Sequence, residues 1–120
     1  MTRLVPIALL FAVCLAHATA SLAERTQVAL MRVEVRPDQS AQFQKILNEH
    51  YDRCTAMVRR EIRNTPDDVD KRVPRLLRTI SKNTLKNMGK LLDAKQMEAF
   101  EYALDLENRR FMQSNGVHEP

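Results

Sequence analysis

Tryptophan is absent from this 120-residue chain, and glycine occurs only twice. Aromatic residues make up 5% of the sequence, too few for the aromatic-rich strands and glycine turns of a many-stranded β fold. Only two cysteines are present, Cys14 and Cys54. Catalytic signatures are missing too: the chain has no glycine-rich phosphate loop, no HExxH and no nucleophile beside a recognisable base. These absences predict an all-helical protein that is not an enzyme and carries no cofactor.

What is present begins with an address. Arg3 precedes an apolar run from Leu4 to Leu15, followed by the small-residue site Ala18-Thr19-Ala20. The run is shorter than the ~20 apolar residues a transmembrane helix needs, and its flanks are those of a cleaved export signal. Residues 1–20 are therefore expected to be removed, with Ser21-Leu22-Ala23 as a slightly later site. Bulky Val13 before Cys14 argues against a lipoprotein cysteine. The expectation is a periplasmic or secreted protein with no transmembrane segment. Losing Cys14 leaves Cys54 alone, so no internal disulfide can staple the domain.

Residues 21–114 read as a single domain, and residues 115–120 as a flexible tail. Phe43, Leu47, Tyr51, Cys54, Val58 and Ile62 recur at steps of three and four, which predicts a helix from Pro37 to Arg63. The breaker cluster around Thr65-Pro66 ends it. Val73, Leu77, Ile80, Thr84, Met88 and Leu91 draw a second stripe, with Pro74 in its first turn or at a kink. A third stripe follows Asp93 through Met97, Phe100, Leu104 and Phe111. Glu98, Glu101, Asp105 and Glu107 supply an exposed acidic face there. Three amphipathic helices after a cleaved signal imply a small all-α bundle or hairpin array. Val28–Val35 alternates apolar and charged residues at its end and could be extended, as in an α+β barrel. The later chain supplies no partner strands for that alternative.

Two helix starts resemble each other. Val35–Leu47 aligns with Leu92–Leu104 at a constant offset, matching Gln39 with Gln96, Phe43 with Phe100 and Leu47 with Leu104. In the second copy Asp93 suits an N-cap and Gln96 the third helical position, a capping box. In the first, Pro37 falls at the one helical position that welcomes proline. Val35 and Gln39, with Leu92 and Gln96, occupy the outer positions of an apolar-x-x-x-Gln pattern. This pattern resembles the LTxxQ repeats of the Spy/CpxP family of small periplasmic helical proteins. Arg36 and Asp93 stand where the family has threonine. The resemblance implies an ATP-independent chaperone or envelope-stress modulator, often a homodimer, and in related proteins metal binding.

A cationic series supports an interaction role independently. Lys71, Arg75, Arg78, Lys82, Lys86 and Lys90 recur at helical spacing opposite the second apolar stripe, and no acid interrupts the chain from Lys71 to Leu92. Such a single-sign face attracts protein clients with acidic surfaces or other anionic partners. It lacks the aromatic side chains that would stack bases, so nucleic acid is not expected. His50 and Cys54, one turn apart, form a candidate metal pair for copper or zinc. Alternative readings are accordingly a metal-binding or metal-sensing helical protein using that pair, or an accessory structural subunit.

Overall fold

The computed structural model describes residues 21–118, so the expectation for the export signal lies outside the described residues. Four α-helices occur among them: α1 (Leu22–Met31), α2 (Pro37–Asn64), α3 (Val69–Met88) and α4 (Ala94–Ser114). A single 3-10 turn, Pro66–Asp68, joins α2 to α3. The described residues are all helix, turn and loop, with no strand.

The first half of the segment considered as a strand, Val28–Met31, ends a helix beyond the three expected, and its second half is turn and loop. Ser21 is the N-cap of α1, its hydroxyl accepting from the Glu24 amide at 3.2 Å. Alternation at the end of Val28–Val35 reflects the exit from this helix, where Val33 is buried while Arg32 and Glu34 are exposed. Thr26 and Ala29 face inward, and Ala29 meets Ala103 and Leu106 of α4. Leu22 and Leu30 pack beside them only partly buried, so the fully buried positions of the helix are short side chains that mark it weakly in the sequence.

α2 and α3 form an antiparallel pair, and α1 packs against α4. The offset between the two helix starts extends to the whole arrangement. Each repeat consists of a leading helix, a short turn and a second helix, and each second helix packs on the leading helix of the other repeat. At the shared end, the rings of Phe43 and Phe100 meet edge to face, with centroids 5.7 Å apart. Leu47 and Leu104 lie buried beside them with Ile46, Met88 and Leu92. An edge-to-face pair contributes ~0.5–1.5 kcal/mol beyond the burial of its area.

A second apolar cluster lies toward the α2–α3 turn, where Cys54, Met57 and Val58 meet Val73, Leu77 and Met112. The α2 stripe ends on Glu61 rather than Ile62, which is 49% exposed. Successive four-residue steps drift by ~40° because a helix turns ~100° per residue, so Ile62 has rotated off the face that Phe43 defines. Glu61 occupies that face instead. Its carboxylate accepts from Arg72 Nε at 2.6 Å and from Thr65 Oγ1 at 2.6 Å, stapling α2 to α3 across the turn.

Three further sequence expectations need correction. Pro74 lies inside α3, in its second turn rather than its first. Glu107 is buried rather than part of the acidic face; Glu98, Glu101 and Asp105 are exposed. Finally, the expected flexible tail is packed through Val117. Gly116, at φ 68°, provides the left-handed residue that closes α4. Val117 N–H then donates to the Met112 carbonyl at 2.9 Å, and Gly116 N–H to that of Gln113 at 3.2 Å. This is a Schellman closure, and Val117 completes it by packing in the same cluster as Met112. His118 N–H donates to Asp70 Oδ1 at 2.9 Å, tying the closure to the start of α3.

Candidate functional site

Three groups of side chains could carry function: the paired glutamines, the His50–Cys54 pair and the cationic face of α3.

The glutamines meet at the helix starts. Gln96 Oε1 accepts from the Asp93 amide at 3.0 Å, while Asp93 Oδ1 accepts from the Gln96 amide at 2.8 Å. This is a complete capping box, because both groups that begin the helix unpaired acquire a partner. In the first repeat Gln39 Oε1 likewise accepts from the Arg36 amide at 3.1 Å. Arg36 has no side-chain acceptor to return, so the Gln39 amide bonds to the Arg36 carbonyl at 2.9 Å.

Each glutamine then spends its Nε2 on the other repeat. Gln39 Nε2 donates to the Leu91 carbonyl at 2.9 Å, and Gln96 Nε2 to the Glu34 carbonyl at 3.1 Å. Between the two amides, Gln96 Nε2 also donates to Gln39 Oε1 at 2.9 Å. Glu34 sits at φ 55°, the single positive-φ non-glycine among the described residues, and its carbonyl is the one that Gln96 reaches. Val35 packs partly buried against this end of the core, and Leu92 is fully within it. These residues lock two repeats together. The two glutamine amides present no open donor or acceptor to a ligand.

His50 and Cys54 are neighbours, with Cys54 Sγ 3.5 Å from His50 Nε2. Both are buried, and both ring nitrogens already have partners on other helices. His50 Nδ1 lies 2.6 Å from Thr84 Oγ1 of α3, and Nε2 lies 3.0 Å from Asn108 Oδ1 of α4. Asn108 Nδ2 in turn donates to Ser81 Oγ at 2.8 Å, which directs Oδ1 toward the ring. Nε2 therefore carries a proton, and the Thr84 hydroxyl donates to Nδ1 when the ring is neutral.

Burial lowers the His50 pKa, against upward pulls from the Asn108 bond and the Glu107 carboxylate. Burial also pushes the Cys54 thiol up to about 12, so it is not a thiolate at neutral pH. No cluster of three or more His, Cys, Asp or Glu side chains converges among the described residues. The pair therefore stands without a third His, Cys, Asp or Glu among the described residues, and both imidazole nitrogens are already hydrogen-bonded within the fold. His50, Thr84, Asn108 and Ser81 form a polar layer between the two apolar clusters. Sequence reasoning missed Asn108, whose only signal was a polar residue between the buried Leu104 and Met112.

The third group is open. Lys71, Arg75, Arg78, Lys82, Lys86 and Lys90 are all exposed. None of them makes an ion pair with a described residue. Arg72 lies on the same helix but toward α2, and it is the α3 cation that takes a carboxylate, that of Glu61. Apolar residues of α3 face α2 and α4, which leaves the cationic series facing solvent. Among the described residues, no helix is long and apolar enough to cross a membrane.

Comparison with protein-family models, curated proteins and solved structures gives no match.

Proposed function

We propose that this chain is an exported, non-catalytic helical binding protein of the chaperone-like, envelope-stress type, which holds protein clients or acidic partner surfaces against α3. The observation that carries this reading is the uncompensated cationic face. Six exposed cations on one helix and its exit turn have no carboxylate partner among the described residues. Placing like charges side by side costs free energy unless solvent or a partner compensates it. The resemblance of the apolar-x-x-x-Gln starts to the Spy/CpxP repeats favours unfolded or acidic protein as that partner.

The test is suppression of aggregation of a denatured, unrelated acidic protein, measured by light scattering at several salt concentrations. Wild-type protein is expected to suppress aggregation, and to do so less well as salt rises, since exposed charges are screened over ~8 Å at physiological ionic strength. Lys82→Glu with Lys86→Glu should remove the effect while leaving the helical circular dichroism unchanged. Suppression that survived both the charge reversal and high salt would refute the reading.

A further inference from the structure

Asn115 is the one asparagine of the chain that precedes a glycine. An Asn-Gly peptide carries its own reaction. The glycine nitrogen can attack the asparagine side-chain carbon, because a glycine has no side chain to shield that nitrogen. Asn115 and Gly116 are both exposed, and no atom lies within 4 Å of the position that a Gly116 Cβ would take. Water therefore reaches this peptide freely.

The closure of α4 holds both reacting groups. Gly116 N–H donates to the Gln113 carbonyl at 3.2 Å, so the attacking nitrogen is engaged. Asn115 Nδ2 donates to the Phe111 carbonyl at 2.8 Å, which commits the carboxamide to the helix end. Beyond them the closure has two anchors. Val117 is buried in the cluster that contains Met112, and His118 N–H donates to Asp70 Oδ1 at 2.9 Å in an exposed bond. A segment near a chain end with so few buried contacts opens locally far more often than the whole domain unfolds.

We infer that Asn115 is a deamidation site gated by this closure, and that its conversion to isoaspartate releases Val117 from the core. In the open state the Gly116 nitrogen gives its proton to solvent base and bonds to Asn115 Cγ. The Cγ–Nδ2 bond breaks and ammonia leaves. The succinimide so formed takes up a water at either ring carbonyl. Cleavage between the nitrogen and Cγ gives aspartate; cleavage between the nitrogen and the backbone carbonyl carbon gives isoaspartate. Water is the only co-reactant, and nothing is oxidised or reduced.

Isoaspartate adds a methylene to the backbone ahead of Gly116. The Gly116 and Val117 amides then lose their register with the Gln113 and Met112 carbonyls, and the Val117 side chain loses its place in the cluster. Both products also lack the Nδ2 donor to Phe111. Each puts a carboxylate at the C-terminal end of α4, where the helix dipole opposes negative charge. Aspartate keeps the backbone spacing, so it loosens the closure less. This inference goes beyond the client-binding reading and does not depend on it.

The experiment ages purified protein in mildly alkaline buffer and maps the amide-to-acid mass gain by peptide mass spectrometry. Asn115 should convert well before any other asparagine, and a protein isoaspartate methyltransferase should label the product. Amide hydrogen exchange at Gly116, followed by NMR, reports the opening directly. Val117→Ala shrinks the buried anchor and should raise the exchange and conversion rates together, by ~tenfold. Asp70→Ala, which removes the acceptor for His118 without touching the core, should act in the same direction. In denaturing urea wild type and Val117→Ala should convert at one rate, because the closure is gone. The isoaspartate form, separated by ion exchange, should lose protection at the Val117 amide, and the aspartate form should keep part of it. Conversion at Asn115 no faster than at the other asparagines, a folded-state rate unchanged in Val117→Ala, or full Val117 protection in the isoaspartate form would each overturn the inference.

Discussion

Gln39 and Gln96 stand 57 residues apart and face each other as near-equivalents. Each oxygen serves the start of its own helix, and each nitrogen serves a carbonyl in the other repeat. The carbonyls they reach, those of Glu34 and Leu91, are separated by the same interval. Both amides are buried, so every hydrogen bond they lose leaves a partner without water to replace it.

Gln96→Glu should therefore destabilise the protein by ~1–3 kcal/mol although it keeps the oxygen that caps Asp93. The lost element is the Nε2 donor to Glu34 and Gln39. Gln39→Leu should cost a similar amount. The double variant Gln39→Leu/Gln96→Leu should be less destabilised than the sum of its single changes, since contacting residues couple by ~0.5–3 kcal/mol. Urea denaturation of wild type, Gln39→Leu, Gln96→Leu and the double variant measures this, and strict additivity would contradict the interlock.

Asp93 contributes differently, through a single charge-assisted bond at an exposed cap. Asp93→Ala should cost ~0.5–2 kcal/mol, and Asp93→Thr much less, because threonine supplies the same acceptor oxygen. An unchanged urea midpoint in Asp93→Ala would show that the cap is dispensable.

The polar layer makes a prediction about pH. The folded state lowers the His50 pKa through burial, so it resists the proton that the unfolded chain accepts. Stability should accordingly hold above the unfolded value of 6.5 and fall as pH drops from there toward the lower folded pKa. His50→Gln should remove this part of the dependence at some cost in stability at neutral pH. Thermal unfolding at several pH values between 7 and ~5 decides it. A wild-type curve parallel to that of the variant would exclude His50 as the source.

Glu61 acts lower on the scale. The Arg72 guanidinium, then the Thr65 hydroxyl, hold its carboxyl down at about 2, against an ordinary value of 4.5. A depressed carboxyl contributes stability above its unfolded value and loses it as pH falls through the folded one. Arg72→Ala should raise the Glu61 pKa and move acid unfolding to higher pH, as followed by circular dichroism. An unshifted acid transition would show that the staple is not what holds the α2–α3 turn.

Ser21 links the expected processing to the fold. Cleavage after Ala20 would leave Ser21 as the first residue and preserve the cap of α1, whereas cleavage after Ala23 would remove that cap with Leu22 and Ala23 of the first turn. Mass spectrometry of exported material should show a chain beginning at Ser21. Protein produced to begin at Glu24 should show faster amide hydrogen exchange in α1 and a lower melting temperature. Equal exchange in the two would separate processing from the stability of α1.

The sequence alone determined the elements whose burial rests on large apolar side chains. Phe43, Leu47, Val73, Leu77, Met88, Phe100 and Leu104 recur at the helical period and lie in the core. The period is a property of the chain itself, so it is visible before folding. The cationic series was legible for the same reason. Two local signals were also present in the sequence without being read as structure: Ser21 before an amphipathic turn, and Asn115-Gly116 after one. Both act within a few residues and follow ordinary capping chemistry.

Tertiary structure decided the rest, because those features depend on what lies across from a residue. Thr26 and Ala29 carry too little apolar surface to mark α1, and they are buried because α4 comes close to them. Glu61 and Glu107 look like surface carboxylates until Arg72 and the packing of α4 account for them. His50 and Cys54 have metal-ligand spacing in the sequence, and it is Thr84 and Asn108, from the neighbouring helices, that engage the two imidazole nitrogens. Spacing along one helix specifies which side chains can converge. Only the neighbouring helices determine whether they meet a ligand or one another.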